Sequence, residues 1–240
     1  MRQEKMIGGR TCYIYGGEAL GKDCDFDILI QAVDGHESEQ LDAEVALIRE
    51  GAGDKPFLLA AFLISDWNEE LSPWEAPPVF GKEGFGAGAE RTLQFILGEL
   101  LPELLCMKPE EITKERISAE GKRICLGGYS LAGLFALWAA SRTEVFRGIA
   151  AVSPSVWFPG WEQYSKEHAI LAERVYLSLG DKEEKTRNPV MAKVGDAIRQ
   201  QYAALREQTT CEACVLEWNP GNHFMDAEKR TAKGFVWVLK

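Results

Sequence analysis

Positive charge is in short supply in this 240-residue chain. Its 27 lysines and arginines face 37 aspartates and glutamates, for a formal net charge of −10. No basic stripe stands out, which argues against nucleic acid or an anionic membrane as a partner. Long apolar runs are missing too. None reaches the roughly 18 residues that crossing a bilayer takes. The opening Met1-Arg2-Gln3-Glu4-Lys5-Met6 has no apolar h-region, so neither a membrane span nor a signal peptide is expected. There is no G-x-G-x-x-G after a strand and no P-loop, so no cofactor is expected. Of the six cysteines, Cys12, Cys24, Cys106, Cys125, Cys211 and Cys214, only the last two form a C-x-x-C. With neither a second pair nor a flanking histidine, that motif does not make a zinc site. It also does not open a helix after a strand, as a redox motif would. Free thiols without a leader lead to the expectation of a reducing, cytoplasmic compartment.

What is present suits a sizeable core. The chain is 46% hydrophobic and 10% aromatic, which fits a single α/β domain over residues 1–240. Residues 13–15 and 26–33 read as strands of an antiparallel N-terminal edge hairpin, with Gly16, Gly17 and Gly21 in the turn between them. Residues 40–50 are either a short helix or a charged loop. Residues 56–64 are almost all apolar and predict a central strand buried on both faces. A long loop to about Gly88 carries Trp67, Trp74, Phe80 and Phe85, too many aromatics for disorder. Residues 89–106 predict an amphipathic helix with Leu93, Ile96, Leu97, Leu100 and Leu101 on its stripe. Strands follow at 148–154, 174–179 and 214–218, and helices at 188–207 and 224–240. A second aromatic loop spans 155–168. Strands alternating with helices predict a mostly parallel, doubly wound sheet.

The chain is organised around one stretch. Ile124-Cys125-Leu126 reads as a buried strand; Gly127-Gly128-Tyr129-Ser130 turns sharply; Leu131-Ala132-Gly133 then opens an apolar helix. Strand, tight serine-bearing turn and helix make a nucleophile elbow, in which small neighbours tolerate a strained serine that projects above the sheet. The usual signature is G-x-S-x-G. Here Ala132 replaces the second glycine and Gly133 follows one place later.

A serine hydroxyl is a poor nucleophile without a base, and the base needs an orienting carboxylate. The chain has three histidines. The chain order nucleophile, acid, base excludes His36, which precedes the serine and reads as a solvated loop residue. His168 comes before any suitable acid-bearing strand. His223 follows a strand end in Asn219-Pro220-Gly221-Asn222-His223 and is the expected base. The acid belongs on the loop Gly180-Asp181-Lys182-Glu183-Glu184-Lys185. A position three residues beyond a strand-ending glycine favours Glu183, with Asp181 next and Glu184 third. For the oxyanion, one backbone N–H should come from Leu131 and the other from Asp66 or Trp67, with Trp67 preferred.

These residues carry a resemblance. Gly128 to Gly133, Leu177-Ser178-Leu179-Gly180-Asp181-Lys182-Glu183 and Asn222-His223-Phe224 resemble the esterase family of α/β-hydrolases. That family includes esterase D (S-formylglutathione hydrolase), feruloyl and acetyl-xylan esterases, and the ferric-enterobactin and salmochelin esterases. The likeness runs from about Tyr13 to the C-terminus. It implies an α/β-hydrolase fold and cofactor-free hydrolysis of a small-molecule carboxylic ester through an acyl-enzyme. Nucleophile, acid and base would fall on Ser130, Glu183 and His223. The family's acid is more often aspartate, and no counterpart of the separate N-terminal domain of enterobactin esterases is expected. A thioesterase, acyltransferase or peptidase on the same triad is the alternative, as is a non-catalytic binding protein of this fold. Homo-oligomerisation is compatible with the sequence.

Overall fold

The computed structural model describes residues 2–16, 25–79 and 81–240. Among the described residues the chain builds one sheet of eight strands in the order β1-β2-β4-β3-β5-β6-β7-β8. Strands β1 (Arg2–Ile7) and β2 (Arg10–Tyr15) are an antiparallel hairpin, turned at Gly8 and Gly9 with φ of 52° and 77°. A two-residue turn with positive φ at both positions matches strand twist and suits glycine. Strand β2 also runs antiparallel to β4 (Phe57–Leu63), and β4 parallel to β3 (Asp27–Val33). The edge hairpin is therefore real but is formed by β1 and β2. The expected pairing of 13–15 with 26–33 is not made, because β3 sits inside the sheet between β4 and β5 (Arg123–Tyr129). Gly17, Gly21, Cys24 and Phe80 lie outside the described residues.

The parallel array continues through β6 (Phe146–Val152), β7 (Arg174–Gly180) and β8 (Ala213–Asn219). Helix α1 spans Gly35–Ala52, so residues 40–50 are helical rather than a charged loop. Its start is fixed by a capping box between Asp34 and Glu37. Short α2 (Trp67–Glu70) follows β4, and α3 (Ala89–Phe95) begins the predicted helix of 89–106. That helix passes through a π-helical turn, Ile96–Leu100, into α4 (Leu101–Leu105). Pro102 gives the reason. It has no N–H for the carbonyl four residues back and its ring would strike it, so the helix widens just before. Helix α5 (Lys114–Ala119), capped by Thr113, precedes β5. Helix α6 (Leu131–Ala140) follows β5, and α7 (Trp161–Glu167) turns part of the second aromatic loop into a helix. Helix α8 (Val194–Glu207) and α9 (Ala227–Leu239) complete the chain.

Period-two alternation sends each strand's side chains to two cores. Ile28, Ile30, Leu58, Ala60 and Phe62 pack with α6 residues Leu134 and Leu137. Leu29, Val33, Leu59 and Ala61 pack on the other face with Leu41, Val45 and Ile48 of α1 and Phe235 and Val238 of α9. Every residue of α6 is buried, as befits a helix apolar on all sides. The expected central strand, β4, is buried along nearly its whole length. No helix among the described residues is long and apolar enough to cross a membrane.

One carboxyl is buried at a cost. Glu44 of α1 receives a 2.8 Å hydrogen bond from Gln31 of β3. Burial, aided by nearby Glu37 and Glu228, still pushes its carboxyl up to about 8. A carboxyl whose folded pKa is raised carries no penalty below its unfolded pKa and the full penalty above its folded one. Glu44→Gln is therefore expected to raise the denaturation midpoint at pH 9, with the gain fading toward pH 4–5, in denaturant titrations across that range.

Candidate active site

The loops that follow β4, β5, β6, β7 and β8 gather at one edge of the sheet. That edge holds the carboxyl ends of the parallel strands, where open α/β sheets bind ligands. At its centre β5 is followed directly by Ser130, with φ 57° and ψ −118°, and α6 starts at the next residue. A non-glycine residue at positive φ is strained and persists only where its surroundings fix it. Here they do. The Ser130 amide donates to Val152 O at 3.0 Å, and its carbonyl accepts from Leu134 at 3.1 Å and Ser155 at 3.0 Å. The glycine rule explains itself in space. A Cβ on Gly128 would lie 2.5 Å from the Ala132 Cβ, so position 128 must be bare for α6 to leave the turn. The methyl of Ala132 is accommodated, while a Cβ on Gly133 would approach Pro154 Cα at 3.2 Å.

Ser130 Oγ lies 2.9 Å from His223 Nε2, and His223 Nδ1 lies 2.7 Å from Glu183 Oε2. Three residues separated by long stretches of sequence thus form one hydrogen-bonded chain. Glu183 sits in a single 3₁₀ turn just after β7, and His223 in the loop between β8 and α9. The other two candidate carboxylates are otherwise engaged. Asp181 accepts the Gly221 amide at 2.8 Å, tying the acid-bearing loop to the histidine-bearing one, and Glu184 pairs with Arg199 at 2.9 Å. Gly180 lets the two loops meet, since a Cβ there would fall 2.5 Å from Gly221 O. His36 is exposed on the first turn of α1. His168 stacks on Tyr164 with ring centroids 4.0 Å apart.

The carboxylate is heavily supported. Glu183 Oε1 accepts from the Ser153 hydroxyl at 2.8 Å, the Gly180 amide at 2.7 Å and the Arg230 guanidinium at 2.7 Å. Burial works to raise its pKa, but the hydrogen bond and charge of His223, with the donors from Arg230 and Gly180, outweigh it and hold the carboxyl below the ordinary range. An ionised carboxylate only accepts, so Nδ1 of His223 carries the proton and Nε2 presents its lone pair to Ser130. Ser153, Tyr129, Ser155 and Arg230 were not singled out by the sequence reading. Arg230 did leave a trace: it shares the apolar stripe of α9 with Gly234 and Val238, at helical spacing.

Leu131 and Trp67 are the first residues of α6 and α2, so their amides are among those without a partner inside the helix. The Asp66 amide is committed to Glu70 Oε1 at 2.9 Å, and its carboxylate caps α2 by accepting from Glu69 at 3.0 Å. Trp67 and Leu131 both line a cavity of about 350 Å³ that also touches Ser130, Ser155, His223, Phe85 and Trp157. Phe224, 88% exposed, stands at its mouth. An adjoining cavity of about 340 Å³ shares Trp157, Met191 and His223, and carries Lys182, Lys185 and Arg187. Not all the loop aromatics face these spaces. Trp74 donates to Pro159 O at 2.8 Å and packs against Phe158 and Tyr164.

Similar architectures occur among solved structures. An IroE-like serine hydrolase from Shewanella oneidensis superposes with a TM-score of 0.77 at 15% identity, covering 99% of this chain and 79% of its own. The siderophore hydrolase EstA from Aspergillus nidulans gives 0.70 at 16% identity, covering 96% and 89%. The feruloyl esterase module from Clostridium thermocellum gives 0.63 at 10% identity, covering 100% and 87%. The fold is that of the α/β-hydrolases. Within this fold the elbow, the acid-bearing loop and the histidine-bearing loop follow β5, β7 and β8. No family model and no curated protein matches the sequence.

The lowered Glu183 carboxyl makes a stability prediction. Its contribution is complete above the ordinary glutamate pKa of about 4.3 and is lost as pH falls through the depressed folded value. Glu183→Gln should destabilise the fold by about 3 kcal/mol at pH 7, because it strands buried Arg230. In chemical denaturation the gap between the two proteins should narrow below pH 4.

Proposed function

We propose that the protein is a serine hydrolase that cleaves a carboxylic ester through an acyl-enzyme. The observation that carries this reading is the continuous hydrogen-bonded chain from Glu183 through His223 to Ser130, opening onto an aromatic-lined cavity. Ser130 Oγ attacks the ester carbonyl carbon as His223 Nε2 takes its proton. Glu183 stabilises the imidazolium that forms, without itself taking the proton. The Leu131 and Trp67 amides receive the negative charge that develops on the carbonyl oxygen. As the tetrahedral adduct collapses, His223 returns the proton to the departing alcohol, leaving the acyl group on Ser130. Water then attacks, with His223 as base, and the carboxylic acid is released.

Trp67, Phe85 and Trp157 favour an apolar or aryl group on the substrate. The feruloyl esterase module among the structural neighbours supports an ester over an amide or thioester. Ser130→Ala is expected to lower p-nitrophenyl acetate hydrolysis by at least about 10³-fold and to abolish labelling by a fluorophosphonate probe. Activity near that of the unaltered protein would refute the assignment.

A further inference from the structure

Arg230 is a cation buried to 3% exposure on α9. Its Nη2 donates to Glu183 Oε1 at 2.7 Å and to Ser153 Oγ at 2.6 Å. Its Nη1 donates to Tyr129 OH at 2.7 Å, to Asn222 O at 3.2 Å and to Met225 O at 3.4 Å. Tyr129 immediately precedes the elbow serine, and its hydroxyl donates in turn to the His223 carbonyl at 2.9 Å. Burial pushes the Tyr129 phenol up to about 12, so it stays neutral and keeps that proton to donate. Asn222 and Met225 flank His223 in the loop. One guanidinium therefore grips the acid, the β6 end that supports the acid, the elbow, and both sides of the histidine.

This arrangement is not what stability alone would select. The Arg230 Nε is buried without a hydrogen-bond partner among the described residues. A stranded buried donor costs about 1–3 kcal/mol, and a buried ion pair is often no better than an apolar side chain of the same size. A planar fork with donors on both ends is, however, what holding two loops and a strand end in one geometry requires.

We propose that Arg230 is the positioning residue of this site, fixing the Glu183–His223 pair against the Ser130 elbow and offsetting the carboxylate's charge so that the imidazole is free to release its proton. The inference rests on the ester-hydrolase reading. The charge argument has a sign. With Arg230 in place, the Glu183 charge felt by the imidazolium is partly cancelled. Without it, the imidazolium sits beside an uncompensated carboxylate and holds its proton more tightly. The other titratable groups near the pair are Tyr129 of β5 and Asp181 of the acid-bearing loop, with Lys182, Lys185 and Arg187 lining the cleft outside His223. None of them changes in the test. Arg230 itself lines neither cavity beside Ser130, so its loss should fall on kcat and leave KM nearly unmoved.

The experiment compares the unaltered protein, Arg230→Met and Arg230→Lys, each checked for folding by circular dichroism, in pH profiles of p-nitrophenyl acetate hydrolysis. In Arg230→Met the acid limb of kcat/KM should move up by roughly one pH unit, and kcat on the plateau should drop at least about tenfold. Arg230→Lys restores the charge without the fork, so its limb should stay near that of the unaltered protein while kcat still falls. If Arg230→Met does not fold, Arg230→Lys decides alone through its kcat. Folded variants with an unmoved limb and an undiminished kcat overturn the proposal, even if their melting temperatures fall. Failure of the underlying reading is distinguishable, because then the unaltered protein neither hydrolyses the ester nor reacts with a fluorophosphonate.

Discussion

The site depends on keeping one buried carboxylate charged. Glu183 is removed from water, which by itself favours its neutral form, and His223 after β8, Arg230 of α9 and the Gly180 amide at the end of its own strand reverse that preference. The consequence runs outward. An ionised Glu183 fixes the tautomer of His223, the tautomer directs a lone pair at Ser130, and in the proposed mechanism that lone pair takes the proton of the attacking hydroxyl. Remove the charge and the same atoms in the same places lose their direction.

That electrostatic chain is possible because the backbone meets two steric conditions. Gly128 lets α6 pack against the end of β5 and so carry the strained Ser130 above the sheet. Gly180 lets the turn after β7 touch the loop after β8, which brings acid and base within one hydrogen bond. The ladder extends past the formal strand ends to lock this contact, with Asp181 N donating to Asn219 O at 2.8 Å and Lys182 N to Gly221 O at 3.0 Å. Two bare positions, in different thirds of the chain, thus set the distance between three polar side chains.

Much of this was legible before any coordinates. The serine announced itself because strain demands small neighbours, and small neighbours are visible as letters. His223 followed from chain order, since few histidines competed. Glu183 could only be favoured over Asp181 and Glu184, because three adjacent carboxylates look alike until their partners in other segments are known. Local pattern served less well for the N-terminal sheet. The β1–β2 hairpin was misplaced because Arg2–Ile7 is mostly polar and exposed, with no core face to reveal it. The residues that stabilise Glu183 were invisible for a related reason. Ser153, Tyr129 and Arg230 gain their meaning from contacts between elements far apart in sequence, and only the place of Arg230 on an apolar helical stripe hinted that it was buried.

The central claim is that Ser130 becomes covalently acylated because His223 and Glu183 make it nucleophilic. The most direct measurement is acid quenching of the protein shortly after mixing with p-nitrophenyl acetate, followed by peptide mass mapping. The account predicts an acetyl group on the peptide containing Ser130, absent from the Ser130→Ala protein and much slower to form when His223 is replaced by alanine. Turnover of the ester with no acetyl on Ser130, or with the acetyl on another residue, would contradict it.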